Sequence, residues 1–285
     1  MDVRGYEPME DSMALNIQTN VPSLNAQRNL DNSTGALARS FERLSSGLRI
    51  NSAADDAAGL ALADRLRSDV RIASQAVRNA NDGISAISIG EQALGKVGDI
   101  LTRLSELASQ SATGLVSSTQ RSAIQTEFTA LVSEVDRIST TTTFNGVALL
   151  SAGTTVDLQV GLDGTTNSRI SFSTVDGSSS GIGLSSVSVS TAAAAQSALG
   201  SISTAIANVA QSRGTLGAVQ SRLNTAIANL KVARENFSAA ESRIRDADVA
   251  EETANLTRAT ILQQAGVSIL AQANQQPQLA LSLLR

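Results

Sequence analysis

Between Leu66 and Leu104 apolar side chains recur at alternating steps of four and three: Leu66, Val70, Ala73, Val77, Ala80, Ile84, Ile87, Leu94, Leu101 and Leu104. Only Glu91 and Gly98 fall out of rhythm. A repeat sustained this long predicts a long α-helix with one apolar seam, which water cannot satisfy and partner helices must cover. Upstream, Leu30, Thr34, Leu37, Phe41, Leu44 and Leu48 share one face of an earlier helix that stops near Gly47–Ile50. Ser52-Ala53-Ala54-Asp55 reads as a capping box for the long helix, with Asp56 a second carboxylate where the helix dipole favours one. That helix is expected to reach about Gln110, with Gly114 as its stop. Ser117–Gln120 predicts a second cap, before a shorter helix with the seam Ile124, Phe128, Leu131, Val135 and Ile138. The short connection makes these two helices antiparallel neighbours.

After Thr140 the period changes to two. Val156–Val160 and Ile170–Ser173 predict a β-hairpin around Gly161–Asn167, with Asp163-Gly164 as its turn. Asp176–Ser190, rich in Ser and Gly, is either one more short strand or a surface loop. From Thr191 the helical rhythm returns: Leu216, Leu223, Leu230, Phe237 and Ile244 stand at every seventh residue, with Val219, Ala226, Ala233, Ala240 and Ala247 between them. Large and small layers thus alternate, which lets neighbouring helices interdigitate. Past Asp248 the chain stays helical to about Ala273, Pro277 predicts a break, and the tail from Leu279 to Arg285 is apolar again.

The fold expected is mainly α: a long antiparallel coiled-coil-like bundle with a small β-hairpin region. Its parts are an extension at 1–12, read as disordered or as lying upstream of an alternative initiator at Met13, a helix over 14–50, and helices over 51–140. The hairpin and exposed loop take 141–190, a returning helix 191–248, and a last helix 249–285. The two terminal stretches are each amphipathic. Leu and Ile left in such stripes favour burial by roughly 1.5–3 kcal/mol apiece, so the ends should pair with each other and with other copies. The assembly seam expected runs through Leu30, Leu37, Phe41, Leu44, Leu66, Val70, Val77, Ile84, Ile87, Leu216, Leu223, Leu230, Phe237 and Ile244.

Composition narrows the chemistry. Of 285 residues 42% are hydrophobic but only 2% aromatic, which suits a thin bundle packed through Ala, Leu, Ile and Val better than a globule. With no Cys and no His, zinc sites built on those ligands, thiol nucleophiles and His-based triads are excluded. No catalytic, cofactor-binding or metal site is expected. A net charge of −4, from 22 basic and 26 acidic residues, offers no basic face for nucleic acid. No run of 18 or more apolar residues occurs, and residues 1–12 lack the pattern of a Sec signal, so neither membrane insertion nor Sec export is expected.

Several long motifs carry a family resemblance: Met13–Asn20 (MALNIQTN), Leu44–Leu60 (LSSGLRINSAADDAAGL), Phe144-Asn145-Gly146, Ser242–Glu252 (SRIRDADVAEE) and Gln272–Arg285 (QANQQPQLALSLLR). In this order they resemble bacterial flagellin, over residues 13–150 and 192–285. The resemblance implies terminal helices forming the core tube of an extracellular filament used for swimming, with the bundle packed around it. It further implies a flagellin export chaperone, the flagellar type III export apparatus, and hook-associated junction and cap proteins as partners. Flagellins often insert large variable domains where this chain has only 150–190, so it looks like a minimal form. The resemblance also matches Arg103, Leu107 and Glu127 to positions that host Toll-like receptors contact, against the plainer reading of subunit packing. It marks Ser178–Thr191 as a candidate for O-glycosylation, against a plain small-residue loop.

Asp246, Asp248, Glu251 and Glu252 suggest either paired carboxylates or a solvated helix face, and the face is preferred because charge clusters on helices are usually exposed. A flagellin homologue acting as a surface adhesin or glycan-binding receptor is the alternative function. The aromatic residues lie mostly on the seams and do not line a groove, which disfavours it.

Overall fold

The computed structural model describes residues 19–151 and 153–283, with side chains described as far as Pro277. The expected extension at 1–12, the beginning of the first helix at 14 and the apolar side chains of the tail fall outside the described residues. The elements are α1 (Val21–Ser46), α2 (Ala57–Ala112), α3 (Ser118–Thr141), β1 (Thr143–Phe144), β2 (Val147–Ala148), β3 (Thr155–Gln159), β4 (Arg169–Ser173), α4 (Ala192–Arg245) and α5 (Val249–Leu283). They fall into two compact units, one formed by residues up to Arg65 and from Ala239 onward, the other by Leu66–Ser238.

In the Leu66–Ser238 unit, α3 folds back along α2. Its N-terminus carries a complete capping box: the Gln120 amide N–H donates to Ser117 Oγ at 3.3 Å, and the Ser117 N–H donates to Gln120 Oε1 at 2.9 Å. Gly114 does not terminate α2, since its φ is not positive. Instead the Arg121 guanidinium donates to the carbonyls of Ser111 and Thr113 at 2.9 and 2.8 Å, satisfying acceptors that the helix end leaves open. α4 runs antiparallel to α2, with Arg213 3.4 Å from Glu91. The core joins Ile87, Leu94, Leu101, Leu104 and Leu107 of α2 with Ile124, Phe128 and Val135 of α3 and Ile202, Val209, Leu216 and Leu223 of α4.

A second stripe on α2 lies beside the seam read from the sequence. Ala76, Gly83, Gly90, Val97, Leu104 and Ser111 are all buried at seven-residue spacing. Small residues here admit the β region: a Cβ on Gly83 would collide with Leu158 of β3, and one on Gly90 would touch Leu149 and Leu216 at 3.8 Å. The Asn79 amide donates to the Gln159 carbonyl at 3.0 Å and fixes the hairpin on the helix.

β3 and β4 pair antiparallel, with Val156 opposite Phe172 and Leu158 opposite Ile170, the hairpin read from alternation. The connection is not an Asp163-Gly164 turn. Asp163 gathers the Thr165 N–H, the Thr165 hydroxyl at 2.8 Å and the Ser168 hydroxyl around its carboxylate and organises a longer loop. A smaller hairpin, β1–β2, turns on Asn145 and Gly146, both at positive φ (49° and 80°) as a two-residue type I′ turn requires.

Asp176–Ser190 forms no strand. Ile182, Leu184 and Val189 are buried, and the segment is tied down at three points. The Ser179 N–H and hydroxyl donate to the Asp136 carboxylate at 2.8 and 2.9 Å, the Val189 N–H donates to Gln125 Oε1 at 2.6 Å, and the buried Ser111 hydroxyl donates to the Val189 carbonyl at 2.5 Å.

In the other unit, α1 and α5 pair antiparallel. α1 ends where expected, at Gly47, whose φ of 72° places it in the left-handed region and whose N–H donates to Arg43 O at 2.8 Å. α2 begins later than the Ser52 capping box predicts. Asp55 accepts from the N–H groups of Asn51 and Ser52 to close a turn, and Asp56 is the cap, accepting from Ala58 and Gly59 N–H at 3.1 and 2.9 Å. Pro277 does not break α5, which continues to Leu283. Proline removes the donor for the Ala273 carbonyl four residues earlier, and Asn20 Nδ2 donates to that carbonyl at 2.8 Å in its place.

Candidate assembly surface

The contact between α1 and α5 is made largely of small residues. On α1 they are Ala26, Ser33 and Ser40, and on α5 Ala259, Gly266 and Ala273, each set at seven-residue spacing. Leu30 packs over Gly266, its Cδ1 3.4 Å from where a Cβ would stand. Such residues let two helix backbones approach closely. They also decide what is left outside. Leu30, Leu37 and Leu44 are half-buried, whereas Phe41, one position beyond buried Ser40, is 60% exposed.

α5 carries apolar residues on every side. Ala259 and Ala273 are buried against α1, yet Val249, Ile261, Leu262, Val267 and Ile269 are all more than half exposed, as are Val21, Leu24 and Phe41 on α1. A helix apolar all round is one that expects cover on more than one face. The expectation of a simple amphipathic stripe over 249–285 is therefore corrected: the intramolecular face is the small-residue one, and the large side chains point elsewhere.

The junction between the helix pairs is backbone-bonded. Arg49 N–H donates to Arg245 O at 2.6 Å and Ala247 N–H to Gly47 O at 3.0 Å, an antiparallel bridge between Leu48 and Asp246. The acids here have separate duties. Asp248 caps α5, accepting from Ala250 N–H at 2.8 Å, and Glu251 lies in its first turn, where the dipole favours a carboxylate. Glu252 is not on a solvated face. It is buried, 3.8 Å from the Arg43 guanidinium. An open groove of about 400 Å³ beside this pair is lined by Arg39, Ser40, Asn255 and Arg258 among others.

The remaining seam residues are placed inside the chain. Ile87, Leu216, Leu223 and Leu230 are buried, and Leu66, Val70, Val77, Ile84, Phe237 and Ile244 are half-buried. Of the three candidate receptor contacts, Arg103 and Glu127 are exposed and paired: Arg103 Nη2 lies 2.8 Å from Glu127 Oε1 and Nη1 2.9 Å from Glu106 Oε2. The hydrogen bonds it donates to Glu106, then to Glu127, hold the Arg103 guanidinium above its ordinary pKa. Leu107 is a core residue, 2% exposed. Among the described residues no group of three or more Asp and Glu is placed to hold a metal ion.

Residues 17–155 match the family model described as the bacterial flagellin N-terminal helical region, and residues 199–284 match the bacterial flagellin C-terminal helical region. The chain belongs to the flagellin family. Flagellin of Halalkalibacterium halodurans is 44% identical over 270 residues, 94% of this chain and 99% of that one. The flagellar filament 33 kDa core protein of Treponema phagedenis is 38% identical over 94% of this chain and 99% of that one. Flagellin of Salmonella muenchen is 50% identical over 149 residues, but these make up only 30% of its length. This chain is thus a small flagellin without a large outer domain. Flagellins are structural proteins, and the chain is not an enzyme.

The small-residue stripes were missed in the sequence because Ala, Gly and Ser carry no strong hydrophobic signal. The period itself was visible: Ala259, Gly266 and Ala273 stand seven apart, as do Ala26, Ser33 and Ser40.

Proposed function

We infer that this flagellin is the structural subunit that polymerises into the extracellular flagellar filament and serves swimming. One observation carries the reading at the level of residues: α1 and α5 satisfy each other through small side chains and leave Val21, Leu24, Phe41, Val249, Ile261, Leu262, Val267 and Ile269 more than half exposed. Completing the burial of one such side chain is worth about 1–1.5 kcal/mol. That is too little to offset an association cost of about 4–15 kcal/mol alone, but eight together match it. This set is the assembly surface proposed, with α1 and α5 as the core-tube helices. The seam residues of α2 and α4 act inside the subunit to hold it rigid.

The export chaperone, the type III apparatus, and the junction and cap proteins complete this reading as partners, since the exposed apolar residues of α5 need cover before polymerisation. Recognition by a host Toll-like receptor would rest on the Arg103–Glu127 pair, because Leu107 lies in the core. An adhesin role has no support in full-length relatives that are themselves flagellins or filament core proteins.

The experiment is seeded growth followed by negative-stain electron microscopy. The full chain is expected to extend filament seeds, and I261D combined with V267D to abolish extension while keeping its helical circular dichroism. A full chain that stays monomeric with seeds present would count against the reading.

A further inference from the structure

We propose that Asn20 is the positioning residue that clasps α1 to α5 at the end of their contact away from the Leu48–Asp246 bridge, and that Pro277 creates the acceptor it holds. The inference rests on the terminal helices being the assembly elements. In an uninterrupted helix the N–H of residue 277 would donate to the Ala273 carbonyl; proline has none, and its ring crowds that carbonyl. Ala273 is buried, so solvent cannot readily replace the lost donor. Asn20 Nδ2 does so at 2.8 Å.

The same side chain has a second duty. Asn20 Oδ1 accepts from the Ser23 N–H at 3.1 Å and caps α1, while Ser23 Oγ donates to Asn274 Oδ1 at 2.8 Å. One amide therefore satisfies an open donor at the start of one helix and an acceptor opened by proline in the other. No other residue type does both as well: Asp and Ser can cap but Asp has no donor, and Ser is too short to reach across.

Location gives the clasp its consequence. At the junction end the two helices are tied by the Leu48–Asp246 backbone bridge. Toward the opposite end the seam is built of Ala26, Ala273 and Gly266, which pack closely but offer little to resist sliding or splaying. A hydrogen bond with one geometry supplies what small residues lack, much as a single buried Asn sets register in coiled coils. The Pro277 break that local propensity favours is thereby converted into a point of attachment between helices. Filament growth depends on the attachment, because splayed ends would present Val21, Leu24, Val267 and Ile269 in the wrong relation to a neighbouring copy.

The test is a double-mutant cycle on the full-length chain with N20S, P277A and N20S/P277A, read by amide hydrogen exchange and by the critical concentration for seeded growth. N20S keeps a capping oxygen but is too short to bring its hydroxyl to the Ala273 carbonyl, and N20D keeps the length and the capping oxygen but has no donor. With Pro277 present, either is expected to speed exchange at residues 21, 23, 24 and 273–276 about tenfold and to raise the critical concentration comparably. In the P277A background the residue 277 N–H takes over the Ala273 carbonyl, and N20S should change exchange less than twofold. Equal effects of N20S in both backgrounds, or none in either, would overturn the clasp. Exchange is measured on the monomer, so failure of the unmodified chain to extend seeds would strike the filament reading and leave the cycle decisive for the clasp.

Discussion

Asp55 shows how much one exposed side chain can organise. Its carboxylate accepts from the Ser52 N–H, the Ser52 hydroxyl and the Asn51 N–H, and these bonds, the Ser52 backbone first, hold its pKa below the usual aspartate value. A group whose pKa is depressed by folding stabilises the fold above its unfolded pKa, and that contribution is lost as pH falls through the folded value. The turn before α2 is therefore expected to be intact at neutral pH and to open only below about pH 3.9, the ordinary aspartate range. The Ser52 amide chemical shift, followed by NMR during acid titration, should move with a midpoint below that value. D55N should flatten the titration, and a Ser52 midpoint at or above the ordinary value would show that the carboxylate is not what holds the turn. The sequence pointed to Ser52 as the cap, with Asp55 its capping-box partner and Asp56 a carboxylate favoured by the dipole; that Asp55 closes a turn and Asp56 is the cap was not legible, because only the path of the backbone chooses among them.

At the level of elements, glycine marks two opposite situations. Gly200 lies exposed in α4 with nothing within 4 Å of a Cβ, so G200A is expected to stabilise the chain by about 0.5–1 kcal/mol through helix propensity and a less flexible unfolded state. Gly161 sits where the hairpin loop crosses itself, and a Cβ there would stand 2.7 Å from the Ser168 backbone Cα. G161A should destabilise by about 1–3 kcal/mol, since backbone cannot step aside as a side-chain tip can. Urea midpoints of the two variants, on either side of the unmodified chain, check the contrast; a shared direction would contradict it. The helices and the β3–β4 hairpin were legible as elements, from heptads in one case and alternation in the other. The anchored segment 176–190 was not, because Gln125, Asp136 and Ser111, which hold it, lie some 40 to 80 residues away in sequence.

For the whole molecule, the main core is drawn entirely from residues between Ala80 and Ile227, so the Leu66–Ser238 unit does not depend on α5 for its apolar packing. Deleting residues 250–285 is expected to leave a helical monomer that unfolds cooperatively but no longer extends seeds. Circular dichroism with thermal melting decides it: a truncated chain that is unfolded at room temperature would mean the tail is needed for the core. With α1 and α5 as the assembly surface proposed above, folding of the main core and assembly would draw on different parts of one chain.

By itself the sequence determined the helices, the end of α1 at Gly47, the cap of α3 at Ser117 and the antiparallel order of α2 and α3. These follow from local periodicity and from residues such as Gly47, Ser117 and Gln120 whose roles are set within a few positions. Its motifs also determined the family. Tertiary structure decided which of two adjacent stripes each helix turns inward: Ser40 and Ala26 in place of Phe41 on α1, and the glycine-bearing stripe beside the large one on α2. It also decided that α5 continues through Pro277 and that Leu107 is core. The physical reason is the same in each case. Close approach of small residues and hydrogen bonds from distant side chains stabilise only once the partner is in place, and a local pattern carries no record of the partner.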